Sequence, residues 1–125
     1  MKAEFNGIAP QFVVQDVVKT AEYYRDKLGF EILGFFAESP VYAMVRRGNA
    51  EIHFGKADGT RTQMNEDVRR GLGTDAYIFV SDINSLQAEL VDAGVEIVEG
   101  PIKRIYDCVE ITIKDCNGFH LVFGE

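Results

Sequence analysis

No apolar run in these 125 residues approaches the length of a membrane span, and the N-terminal stretch Met1-Lys-Ala-Glu-Phe-Asn-Gly lacks the apolar core of a secretory leader. Both absences predict a cytoplasmic protein with no membrane partner. Clustered Lys and Arg are missing too. Thirteen basic side chains stand against 20 acidic ones, for a net charge of -7. This disfavours a nucleic-acid partner, because neutralising phosphates requires basic patches. The acidic balance mainly supports solubility and, more weakly, a cationic ligand. Cysteine is scarce: Cys108 and Cys116 are the only two, and they are not in Cys-x-x-Cys spacing. A disulfide framework and a zinc ribbon are thereby excluded, and reduced thiols are expected. His120 is the only histidine near them in the sequence, a spacing that does not make either a nucleophile.

What the chain does contain is a repeat. Asp16 opens a helix-length segment ending at Leu28-Gly29-Phe30-Glu31-Ile32, and Asp82 opens another ending at Ala93-Gly94-Val95-Glu96-Ile97. Each Asp follows an apolar alternating run, where its carboxylate can cap free helical N–H groups at the positive end of the helix dipole. Gly29 and Gly94 suit the left-handed position that ends a helix. Ala21, Tyr24 and Leu28 recur at helical spacing, as do Leu86, Leu90 and Ala93, so each helix carries one apolar stripe for a sheet.

Around these helices the alternation predicts strands at 8–15, 30–37, 41–47 and 50–55 in the first half. Pro40 marks a turn, and Gly48-Asn49 forms a two-residue hairpin loop. In the second half, strands are expected at 75–81, 95–99, 108–114 and 119–123, with a bent strand or loop over 102–107. Each half reads β-α-β-β-β. The chain is therefore expected to be a single domain, 1–125, with a first module at 5–55, a second at 75–125, and a polar linker at 56–74. The linker reads as a solvated connector with a short helical turn after Asn65.

Strand alternation assigns the faces. Phe12, Val14, Ile52, Phe54, Ala76, Ile78 and Val80 are expected to face the helices. Gln11, Val13, Glu51, His53, Asp75, Tyr77 and Phe79 are left on the opposite face. The hairpin register places Tyr42, Met44 and Arg46 opposite Gly55, His53 and Glu51, with Phe36 beside Tyr42.

The duplicated βαβββ unit, its Asp-capped helices and the ending Lys114-Asp-Cys-Asn-Gly-Phe-His-Leu-Val-Phe123 resemble the vicinal oxygen chelate superfamily. That group comprises glyoxalase I, extradiol dioxygenases and bleomycin-resistance proteins. The resemblance covers essentially the whole chain and implies an α+β fold, in which the modules form an open, cleft-containing mixed sheet. It also implies metal ligands at positions that fall here on Ala9, His53, Asp75 and Val122, of which only His53 and Asp75 carry donors. A catalytic divalent site normally needs three protein ligands, so no cofactor is expected. A divalent metal completed by Glu51 or His120 is the alternative.

The resulting expectation is a metal-free small-molecule-binding protein, closest in character to the bleomycin-resistance branch. It would form a homodimer and sequester an aromatic or cationic compound through Tyr42, Glu51, His53, Asp75, Tyr77 and Phe79. The rival expectation is a metal-dependent lyase, isomerase or dioxygenase acting on a small oxygenated metabolite. In a metal-free enzyme, His53 itself would move the proton. Tyr77, Phe79 and Phe36 could equally fill an inner core layer or a dimer interface.

Overall fold

The computed structural model describes residues 1–125. The first module comprises β1 (Gln11–Val14), α1 (Val17–Leu28), β2 (Glu31–Phe36), β3 (Tyr42–Arg47) and β4 (Ala50–Lys56). A one-turn helix, α2 (Asn65–Val68), lies in the linker. The second module comprises β5 (Ala76–Phe79), α3 (Ile83–Ala93), β6 (Glu96–Lys103), β7 (Val109–Lys114) and β8 (His120–Gly124). Each module folds into a four-stranded mixed sheet, ordered β1-β4-β3-β2 and β5-β8-β7-β6, with the first and last strand of the module paired in parallel.

The repeated capping residues act alike in the two copies. Asp16 accepts from Lys19 N and Asp82 from Ser85 N, both at 3.0 Å. The helices end at Gly29 (φ 72°) and Gly94 (φ 71°), the left-handed conformation that a Cβ disfavours. The expected β3–β4 register is found residue for residue, with Tyr42 opposite Gly55, Met44 opposite His53 and Arg46 opposite Glu51, and Phe36 pairs with Tyr42. One strand differs. The sixth runs to Lys103 instead of ending at Glu99, through two register irregularities around Pro101. β6 is an edge strand, where proline's missing N–H interrupts no inner ladder.

The core lies between each sheet and its helix, and one cluster of 20 buried residues spans both halves. Complete burial of side chains such as Ile52, Leu90 and Ile113 stabilises the fold by about 1.5–3 kcal/mol each. No strand of one module pairs with a strand of the other. The halves meet instead through their helices and turns. The Phe12 and Phe119 rings stack at 4.5 Å. Tyr24 Oη, fully buried, donates to Asp115 Oδ2 at 2.6 Å, and Asn117 Nδ2 donates to Thr20 Oγ1 at 2.9 Å. This joint leaves the other face of each sheet, the one we term its concave face, without a helix of its own chain over it. Val13, Phe36, Tyr77, Tyr106 and Phe79 are all exposed there or at its rim, Phe79 at 86 %.

The linker is a connector held at a few points. Glu66 accepts from the N–H groups of Gly71 and Gly73, Asn65 N donates to Asp75, and Met64 packs against the core. The segment is mostly exposed, as a connector is expected to be, and these few bonds fall outside any periodic pattern that a sequence displays.

Candidate functional site

Three of the predicted site residues meet on the first sheet. Alternation along β4 puts Glu51 and His53 on one side, and the antiparallel register brings Tyr42 to them from β3. His53 Nε2 lies 2.6 Å from Glu51 Oε2, and His53 Nδ1 lies 2.9 Å from Tyr42 Oη. An ionised carboxylate can only accept, so Nε2 bears the proton toward Glu51. In the neutral imidazole Nδ1 is then an acceptor for the Tyr42 hydroxyl. Gln11 Nε2 donates to the same phenol oxygen at 3.3 Å. All three members of the row are half-buried.

Tyr77 and Phe79 lie on the second sheet, their rings 5.1 Å apart. Tyr77 Oη donates to Glu110 Oε2 at 2.7 Å, Tyr106 Oη donates to the same oxygen at 2.8 Å, and Arg104 Nε donates to Oε1 at 3.0 Å. Arg104 also pairs with Glu99. Burial by itself would raise the Glu110 carboxyl, which is only 3 % exposed, but the three donors outweigh it and hold the group below its usual value. The same hydrogen bond is the main reason the Tyr77 phenol is held well above its ordinary value. Sequence reasoning did not single out Glu110, Tyr106 or Arg104.

The two sheets share a construction that the repeat makes explicit. Gln11 and Tyr77 each stand five residues before their capping Asp, on the first strand of their module. Each side chain crosses a glycine on the neighbouring strand to reach the residue paired with that glycine. Gln11 crosses Gly55 to Tyr42, and Tyr77 crosses Gly124 to Glu110. A Cβ on Gly55 would lie 2.8 Å from Gln11 Oε1, and one on Gly124 would lie 2.0 Å from Tyr77 Oη. Glycine within a strand marks such a close approach, which is the signal that would have exposed both crossings.

Asp75 is placed differently from the other predicted residues. Its Oδ1 accepts from Asn65 N at 2.9 Å and its Oδ2 from His120 N at 2.8 Å, so the carboxylate ties the linker to β8. His120 Nδ1 is buried with no hydrogen-bond partner. Of the positions where metal ligands were implied, Ala9 and Val122 bear no donor, and both His53 nitrogens are engaged. No three His, Cys, Asp or Glu side chains converge in the chain. The donor set does not fit a three-ligand metal site built from one chain.

A cleft of about 850 Å³ opens between the start of β4 and the edge formed by β5 and α3. Its walls include Pro10, Ile52, Ile78 and Leu86. Tyr77, Phe79 and Glu51 also line it. Its charged lining comprises the carboxylates Glu51, Asp82 and Glu89 against the single guanidinium of Arg47, which pairs with Glu89. Tyr42 and His53 lie outside this lining, so Glu51 links the cleft to the histidine row. Partial desolvation and the Asp115 carboxylate push the Cys116 thiol up to about 11, which disfavours its thiolate at neutral pH although the residue is exposed. No helix is long and apolar enough to cross a membrane.

Known structures of similar shape share little sequence with the chain. TioX from Micromonospora sp. ML1 superposes with a TM-score of 0.77 at 14 % identity, covering 97 % of this chain and 98 % of that one. A glyoxalase family protein from Bacillus anthracis gives 0.75 at 20 %, covering 100 % and 98 %. The bleomycin-binding protein of bleomycin-producing Streptomyces verticillus, in complex with copper(II)-bleomycin, gives 0.70 at 22 %, covering 98 % and 97 %. No curated protein matches the chain in sequence. At these identities the likeness establishes the fold alone. The family assignment rests on residues 8–123, which match the family model and span both capped modules, and makes the chain a member of the glyoxalase/bleomycin resistance protein/dioxygenase superfamily.

Proposed function

We propose that this chain is a metal-free small-molecule-binding protein, a homodimer that sequesters a planar aromatic or cationic compound in clefts completed by the second copy. The observation that carries the reading is the pair of uncovered concave faces. They present Phe36 on the first sheet and Tyr77 and Phe79 on the second, with Tyr106 beside Tyr77 on the Glu110 carboxylate and Glu51 on the same side of the first sheet as Phe36. Exposed aromatic faces of this extent mark an interaction surface. Rings beside negative charge suit stacking and cation–π contact. The acidic bias of the cleft lining, three carboxylates against one guanidinium, favours a cation further. The bleomycin-binding protein of similar fold is in complex with copper(II)-bleomycin, in keeping with a small-molecule-binding role.

The test is titration calorimetry with a planar aromatic cation and, separately, with copper(II)-bleomycin, on protein purified without chelator and analysed for metal. Saturable binding by metal-free protein is expected. Light scattering should give twice the chain mass of 14.0 kDa. Stoichiometric tightly held metal, or failure of every aromatic probe to bind, would overturn the proposal.

A further inference from the structure

We infer that the row Glu51–His53–Tyr42 is a proton relay, which gives this protein the capacity to remove a proton from a planar carbon acid bound on the concave face of the first sheet. The inference rests on the proposed aromatic binding and adds a chemical step to it. A carboxylate, an imidazole and a hydroxyl in sequence, at 2.6 and 2.9 Å, form the arrangement by which a histidine draws a proton from a hydroxyl while an acid stabilises the resulting imidazolium. The polarity of the row is set by Glu51, which can only accept. The row is also open at the correct end. Tyr42 is half-buried on the uncovered face, and Gln11, seated in the space left by Gly55, points an amide N–H at its oxygen. His53 uses both nitrogens in a chain that ends on an accessible hydroxyl.

The step balances within the row. The phenol proton moves from Tyr42 Oη to His53 Nδ1, and the substrate C–H proton moves to Tyr42 Oη. The imidazolium is held against the Glu51 carboxylate. The electron pair of the broken C–H bond stays with the substrate, where it forms a new π bond and expels a leaving group or returns to a proton at another atom. Elimination and isomerisation are the reaction classes that follow, and neither consumes a co-reactant. His53 then releases its proton to solvent, or returns it along the row.

Nitrobenzisoxazole is a suitable probe. Loss of its C–H proton breaks the N–O bond and yields a coloured cyanonitrophenolate. The full-length protein should open this ring with saturable kinetics. Tyr42→Phe should lower kcat by about 100-fold with KM little changed, in line with the usual contribution of a positioned acid or base. His53→Ala should lose a comparable factor and recover part of it with added imidazole, a rescue that a merely structural histidine would not show. Glu51→Gln, at a less buried position, gives an independent reading should either variant fold poorly, and a loss of ten-fold or more is expected. Binding of nitrobenzotriazole, an isostere with no such proton to lose, is measured in parallel. Wild-type turnover no faster than that of Tyr42→Phe, or unaffected by Glu51→Gln, would overturn the relay even where the isostere binds. Failure of the isostere to bind would count instead against the aromatic binding site.

Discussion

Gly124→Ala is the most direct test of how the second sheet presents its aromatic face. The added methyl carbon would sit 2.0 Å from Tyr77 Oη, 2.6 Å from its Cζ and 2.9 Å from its Cε1. Non-bonded carbon contacts settle near ~3.5 Å, so the ring must retreat by roughly 1 Å or more. The 2.7 Å bond to Glu110 does not survive such a shift. Tyr106 and Arg104 still serve the carboxylate, so the loss is one charge-assisted hydrogen bond, worth about 1.5–3 kcal/mol. The stiffer unfolded chain returns about 0.4–1 kcal/mol. A net destabilisation of about 1–2 kcal/mol results. The sharper readout is phenol ionisation. Of five tyrosines, Tyr23 is pushed up to about 12 by burial, and Tyr24, Tyr77 and Tyr106 also lie above the ordinary 10.0. Freed from its bond to Glu110, Tyr77 should ionise at lower pH than in the wild type, moving its step toward the ordinary 10.0 in an ultraviolet absorbance titration. Affinity for a planar aromatic probe should fall further than in Tyr77→Phe, which loses the bond but keeps the ring in place. A titration curve superimposable on wild type, with affinity unchanged, would refute the crossing.

Tyr24→Phe removes the donor to the buried Asp115 carboxylate at the joint between modules and should cost about 1.5–3 kcal/mol in denaturant unfolding. Glu110 is held below its usual value. Its contribution is therefore present above the ordinary 4.5 and lost as pH falls through the lower folded value. Glu110→Gln should lower the thermal midpoint at neutral pH and flatten its decline below 4.5. Asp115 is raised, mainly by burial, and works in the opposite direction: its contribution is present below the ordinary 3.8 and fades as pH rises. Asp16→Ala and Asp82→Ala should each cost about 1 kcal/mol, and their effects should add in the double variant. With its thiol raised from 9.0 to about 11, Cys116 should alkylate roughly 10-fold more slowly than an ordinary thiol at neutral pH, the smaller thiolate fraction being partly offset by the greater nucleophilicity of a more basic thiolate.

The scaffold was legible because its signals are local and repeated. A capping Asp, a terminal Gly and strict alternation gave α1 its bounds and gave β3–β4 its register, and with them the meeting of Tyr42, His53 and Glu51. The cluster on the second sheet was not legible. Arg104 and Tyr106 sit in a segment with no period, and Glu110 emerges only once Tyr77 is known to cross Gly124. Asp75 illustrates the limit of counting positions. Its distance from Asp82 matched the implied ligand position, yet its oxygens serve two backbone N–H groups that sequence spacing does not reveal. The joint between modules was equally hidden, since alternation tells which face is buried and not which half covers it.

The two glycine crossings have a consequence for how this architecture changes over time. Gln11 and Tyr77 belong to neither the caps nor the 20-residue core. Each is a long arm laid over a vacant notch, and what it touches is decided by its own chemistry. A duplicated gene starts with identical arms, and a single codon change at either one rewrites a face without disturbing the fold that displays it. Here one arm is an amide and the other a phenol, and the two halves present a histidine row and an aromatic, carboxylate-anchored surface. Randomising positions 11 and 77 together is therefore an economical route to new ligands on an unchanged frame.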